Sequence, residues 1–186
     1  MTVRFDSGRI CLDLAAQPLD RPETLDRFLH AAGLVPAATP LSTLDPHWLG
    51  PFRELRDCVD DLVHTQLEGR RPGPALERLN CLAAASAPPA PRAVRTETGL
   101  LVRVLSHEPE CRALLAAVAR DAVDLLTDPV ARALLRQCEG DDCRRCYLDT
   151  SRGHRRRWCS SELCGNRERV ARHRAARARA KNLVTR

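Results

Sequence analysis

The chain has 186 residues, 44% of them hydrophobic but only 3% aromatic, with a formal net charge of +6. That is enough for one packed domain plus a small appendage, with a core of Leu, Val and Ala, the usual material of packed helices. No run of about eighteen apolar residues is present, which argues against a membrane span, and the opening Met1-Thr2-Val3-Arg4-Phe5-Asp6-Ser7-Gly8 lacks the basic start and apolar stretch of a secretory signal, so the expected location is the cytoplasm.

Over residues 3–14 the apolar positions Val3, Phe5, Ile10, Leu12 and Leu14 flank Ser7-Gly8, which reads as a short strand pair or a strand into a turn. A first helix is expected after Asp20-Arg21-Pro22, with Leu25, Phe28 and Leu29 on one face and Gly33 as its stop. Asp45-Pro46 opens a second helix whose apolar positions Phe52, Leu55, Val59, Leu62 and Val63 recur at three and four until Gly69. A third starts near Pro74, carries Leu76, Leu79 and Leu82, and ends before Pro88-Pro89. Between Pro91 and Ser106 the period changes, because Val94, Leu100, Val102 and Val104 alternate about Glu97-Thr98-Gly99; this predicts a β-hairpin. A fourth helix from Ser106 carries Leu114, Leu115, Val118, Ala122, Leu125 and Leu126. Past Asp128-Pro129, a short helix with Val130, Ala133 and Leu134 delivers the chain to Cys138.

The last quarter has a different composition. Residues 138–186 hold fourteen Arg and Lys against six Asp and Glu, a local excess of eight, which leaves the first 137 residues slightly acidic. Four of its cysteines form two matched pairs, Cys138-x4-Cys143 and Cys159-x4-Cys164, joined by a fifteen-residue loop. Two such knuckles supply the four thiolates of a tetrahedral zinc site, and in a reducing compartment clustered cysteines are more often ligands than disulfides. Cys146 is a fifth thiol inside the module and permits an alternative Cys143-x2-Cys146 knuckle. Cys11, Cys58, Cys81 and Cys111 are scattered among apolar residues and read as packed thiols. Tyr147 and Trp158 are the module's only aromatics and are expected to cover the metal site. The set Asp60, Asp61, His64 and Glu68 sits at helical spacing and reads as a solvated face, and His154 as a solvated loop residue or a phosphate contact rather than a ligand.

From Arg167 the tail is rich in Ala and Arg, so helix propensity is high. At about 100° per residue, Arg167, Arg174, Arg177 and Lys181 share one side while Arg169, Arg172 and Arg179 share another. Basic residues on both flanks suit a helix lying in a groove of double-stranded DNA better than a membrane surface, which asks for one broad apolar face. The loop arginines Arg152, Arg155, Arg156 and Arg157 and the residue Asn166 add to the same candidate nucleic-acid surface.

The segments Cys138-Glu139-Gly140-Asp141-Asp142-Cys143, Tyr147-Leu148-Asp149-Thr150-Ser151, Arg157-Trp158-Cys159-Ser160 and Cys164-Gly165-Asn166-Arg167 resemble the CGNR zinc-finger family. The resemblance implies that Cys138, Cys143, Cys159 and Cys164 bind structural Zn²⁺ and that the module binds DNA in a transcriptional regulator. More loosely, the preceding part is similar to the ABATE domain, which implies a domain sensing a small ligand or a stress signal. It departs from that pattern at Leu12-Asp13-Leu14-Ala15-Ala16-Gln17, where relatives place an Asn-Thr pair.

The expected architecture is therefore α+β: a mainly helical domain over residues 1–134 with a small antiparallel β element, then a zinc-finger module over residues 135–186 ending in a basic helix. The expected function is a DNA-binding regulator whose first domain binds a small-molecule effector or forms a homodimer. The alternative is a zinc- or redox-responsive interaction protein that contacts RNA or an acidic protein. An enzyme is not expected: there is no Gly-rich phosphate loop, nucleophile elbow or His-Glu-x-x-His motif, and four cysteine ligands leave zinc no open position.

Overall fold

The computed structural model describes residues 5–184, with side chains through residue 175. Val3, and the side chains of Arg177, Arg179 and Lys181, therefore lie outside the described residues. The helices start and stop where proline, an acidic cap or glycine directs them. Pro22 occupies the first turn of α2 (Pro22–Ala31). The Asp45 carboxylate accepts from His47 N at 2.7 Å, and the chain first makes a 3-10 turn, Pro46–Trp48, before the long α3 (Leu49–Leu67). Pro74 opens α4 (Pro74–Ala84), and Asp128 caps α6 (Pro129–Leu134) through Val130 N at 2.8 Å. The fourth expected helix begins later than its sequence suggests: α5 spans Cys111–Thr127. Just ahead of it Glu108 reaches across to bond the Ser42 hydroxyl and Thr43 N.

These helices bury the stripes that their periodicity marks. Leu25, Phe28 and Leu29 of α2, Phe52, Leu55 and Val59 of α3, and Leu114, Val118 and Leu125 of α5 are shut off from solvent in one core, with α5 packed on α4, on α3 and on a short helix over Ile10–Ala15. The hairpin of β1 (Pro91–Arg95) and β2 (Leu101–Leu105) stands outside that core, pairing Val94 with Val102 and Arg95 with Leu101.

Residues 10–15 correct the expectation of an extended N-terminal segment, for they form a helix, α1 (Ile10–Ala15). A six-residue run with Ile10, Leu12 and Leu14 fits either period; a distant residue decides it. The Asp121 carboxylate of α5 accepts from Cys11 N at 2.8 Å and from Arg9 Nε at 2.9 Å, so the orphan donor at the helix start finds a long-range cap.

A second, smaller sheet was not apparent in the sequence. Strand β3 (Leu135–Gln137) pairs antiparallel with β4 (Cys146–Leu148), matching Leu135 to Leu148 and Gln137 to Cys146. Because side chains alternate along a strand, Cys146 and Leu148 join the large helical core while Tyr147 joins a separate cluster with Cys138, Cys159 and Cys164. Strand β4 is thus the partition between two cores. The last element, α7 (Cys164–Val184), leaves from the second of them.

Candidate metal centre

The four expected ligands converge. Cys138, Cys143, Cys159 and Cys164 bring their sulfurs within 4.8 Å of one another, the only such His, Cys, Asp or Glu group among the described residues. Cys143 Sγ lies 3.7 Å from Cys159 Sγ, and Cys159 Sγ 3.6 Å from Cys164 Sγ. A regular tetrahedron with Zn–S bonds near 2.3 Å has edges of about 3.8 Å, so the sulfurs stand where a zinc ion would place them. Burial and the neighbouring sulfurs push the Cys159 thiol far up and Cys164 up to about 11. Against the same burial, Cys138 is lowered by the backbone N–H groups of Cys159 and Gly140; Cys159 N reaches its sulfur at 3.3 Å. A divalent cation supplies the positive charge that displaces the protons of the raised Cys159 and Cys164 thiols.

The shell around the sulfurs is built from the motif residues. Tyr147 is fully buried and donates its hydroxyl to Arg156 O at 2.5 Å. Asp149, also buried, accepts from Ser151 N and Oγ at 3.0 and 2.6 Å and from Arg156 N at 2.9 Å. The Ser151 hydroxyl chiefly holds its carboxyl below the usual range. His154 Nδ1 sits 2.9 Å from Asp149 O, so it too locks the loop. Trp158 is half-buried against the cluster. Gly165 lies directly after the last ligand, where a Cβ would sit in van der Waals contact with the Trp158 ring at 3.4 Å and Ser160 O at 3.5 Å. Asn166 lies inside the first turn of α7, and its Oδ1 accepts from Arg169 at 3.3 Å.

The basic residues fall into two groups. Arg152 and Arg155 are exposed in the loop, and exposed Arg157 pairs with Glu139 at 2.6 Å and lies over the Trp158 ring. Arg156 is turned inward: it stacks 4.4 Å over Tyr147, donates to Trp158 O at 2.8 Å and to Cys159 O, and reaches Asp6 O at 3.3 Å. On α7, Asn166, Arg167, Arg169, Arg172 and Arg174 are all exposed.

Cys146 stands apart from the tetrad, which decides between the two knuckle spacings in favour of the equal pairs. Its Sγ lies 3.7 Å from His64 Nε2, and burial pushes the thiol up to about 12. His64 is therefore not on a solvated face; it is buried, with Nδ1 2.8 Å from Asp60 O. Of the scattered cysteines, Cys11 and Cys58 are buried, Cys111 is half-buried and Cys81 is exposed.

Between the helical core and the metal module runs a cleft of about 330 Å³, lined by Leu12, Ala15, Ala16 and Asp60 on one side and Cys143, Arg144 and Arg167 on the other. The walls are pinned by Arg145, which no sequence pattern singled out. It bonds Asp6 and Asp13 at 3.1 Å each and the Ser7 hydroxyl at 3.1 Å. Beside it Leu148 N donates to Ser7 O at 2.8 Å. Gly8, with φ of 88°, keeps this crossing close, since a Cβ there would meet Leu148 Cβ at 3.3 Å.

Two protein-family models match the chain. The ABATE model, described as "Putative stress-induced transcription regulator", matches residues 8–129, and the CGNR zinc finger model matches residues 134–177. No curated protein matches the chain. No helix of the described residues is long and apolar enough to cross a membrane.

Proposed function

Because the chain belongs to the ABATE family and continues into a CGNR zinc finger, we propose that it is a transcription regulator that binds double-stranded DNA through the finger and α7. The observation that carries this reading is the exposure of Arg167, Arg169, Arg172 and Arg174 on a helix that starts at a metal ligand. Zinc fixes the base of the helix, and beyond Glu168 the protein leaves every described residue of it uncovered. A helix that is polar all round gains little from its own fold, so an outside partner must supply the packing. A polyanion matches its charge.

In this reading residues 1–134 regulate and residues 135–186 bind. The cleft beside the zinc knuckles is of a size to hold a small effector, and its Arg144 and Arg167 would feel such a ligand directly. Catalysis has no part in the scheme, since four thiolates fill the coordination of zinc.

The test is a titration of zinc-loaded full-length protein with duplex DNA across a range of salt. Neutralising about six to eight phosphates gives a log–log slope of roughly −5 to −7, and replacing Arg172, Arg174 and Arg177 together weakens binding and flattens it. A slope unchanged by that triple replacement, or tighter binding to RNA or an acidic peptide than to duplex, defeats the proposal.

A further inference from the structure

The helical positions of α7 do not all face the same surroundings. At about 100° per residue, Glu168, Ala171 and Ala175 share one side. That is the protein's side: Glu168 is half-buried, and Glu168 and Ala171 line a hollow with Gly140, Asp141 and Cys143 of the first knuckle. The opposite side of the helix carries Asn166, Val170 and His173, which fall within about 60° of one another and are all exposed, Asn166 and Val170 also bordering a shallow hollow with Glu162 and Leu163 at the foot of the helix. On either side of that stripe stand arginines, Arg167 and Arg174 along one edge and Arg169 along the other, with Arg172 further round that second flank, about 40° from Glu168.

From this arrangement, and resting on the DNA-binding reading above, we infer that Asn166, Val170 and His173 read base edges in the major groove while Arg167, Arg172 and Arg174 hold the phosphates. The major groove is about 12 Å wide and admits one helix, whose outermost stripe meets the base edges while its flanks meet the two backbones. The residue types fit those places. An asparagine amide offers a donor and an acceptor together, the pattern of adenine N7 and N6; a valine side chain packs on a thymine methyl; an imidazole can donate to guanine N7 or O6. Guanidinium groups on both flanks supply charge without sequence preference. Arg169 stands between the two roles. Its guanidinium bonds Asn166 Oδ1 and Ser161 O, both at 3.3 Å, so it orients the Asn166 amide from the side.

Sequences bound by the zinc-loaded full chain are selected from a random duplex pool, in parallel for the native protein and for Asn166→Ala, Val170→Ala, His173→Ala and Arg174→Ala. Zinc content and circular dichroism verify that each variant is folded. The native protein is expected to yield a consensus. Each of the three stripe variants loses discrimination at its own base position by roughly 5- to 100-fold, with affinity for unrelated duplex and the salt slope unchanged. Arg174→Ala leaves the consensus intact, weakens all duplexes alike and reduces the slope by about one. If duplex binds with the expected slope but the three stripe variants keep the native consensus, the inference falls and the DNA reading stands. If the native protein prefers RNA or an acidic peptide to any duplex, both fall together.

Discussion

His64 Nε2, on α3, faces Cys146 Sγ, on β4, at 3.7 Å, and this pair is where the helical domain and the zinc module share a buried surface. With Nδ1 held on Asp60 O, Nε2 is turned toward the Cys146 thiol, whose proton lies between Nε2 at 3.7 Å and Arg144 O at 3.8 Å. Cys146 is therefore a packing residue with a proton to give rather than a ligand or an activated thiolate.

Cys146→Ala should accordingly keep one zinc per chain, counted by metal analysis, at a stability cost of about 0.5–3 kcal/mol in urea. In the native zinc-loaded protein at pH 8, iodoacetamide should modify exposed Cys81 well before Cys146. Loss of zinc in Cys146→Ala would return this residue to the ligand set.

The buried Asp13 carboxylate and Arg145 form the second tie across the same surface, at 3.1 Å and with little exposure of either side chain. Arg145 also has Asp6, but removing Arg145 leaves the buried Asp13 charge without its ion-pair partner, which costs about 3–5 kcal/mol. Arg145→Met is expected to show that loss in a urea titration. Adding Asp13→Asn to it should cost much less than the sum of the two single changes, the signature of direct coupling. Additive costs would mean the pair is incidental.

Much of this could be read in the sequence because the signals are local. Pro22, Asp45-Pro46, Pro74 and Asp128-Pro129 mark helix starts by chemistry that acts within one turn, and the equal Cys-x4-Cys spacings place four sulfurs together. What was hidden depends on distant partners. Residues 10–15 are helical because Asp121 caps them from α5; His64 is buried because β4 passes over it; Asp13 and Arg145 meet across 132 positions. Strands β3 and β4, three residues each, are too short for any alternation to register. Arg156 looked like its neighbours in an arginine run, and only the fold shows that Tyr147 and three carbonyls take it up.

Alkaline pH should destabilise the zinc-loaded protein before it disturbs the metal ligands. Burial raises Cys11 well above 9.0, Cys111 to about 11 and Cys146 to about 12. These thiols ionise in the unfolded chain near their ordinary value but stay protonated in the fold, so the unfolded state sheds protons first. Their contribution to stability is whole below about pH 8.5 and is lost as pH rises through the folded values. Urea midpoints should fall steadily from pH 9 toward 11, and less steeply in Cys111→Ala. A flat profile would mean that these thiols are not buried in solution.

The metal centre makes the strongest demand on the chain, because zinc and the helical core stabilise the same strand from opposite faces. Cys159→Ser and Cys164→Ser should each abolish stoichiometric zinc while circular dichroism retains the signal of α2, α3 and α5, whose core lies on the other side of β4. The reverse dependence should also hold. A fragment of residues 135–186 keeps all four sulfurs, Tyr147 and the Asp149 lock, yet it exposes Leu135 and Leu148, which the whole chain buries, and it takes Asp6 and Asp13 from Arg145. Burying one leucine contributes about 1.5–3 kcal/mol, and each 1.4 kcal/mol is about tenfold in an equilibrium constant. The fragment is therefore expected to fold on zinc but to bind it at least about tenfold more weakly than the full chain, measured by competition with a chromophoric chelator. Equal affinity would mean that the finger stands by itself and that the contacts through β4 carry no free energy between the two modules.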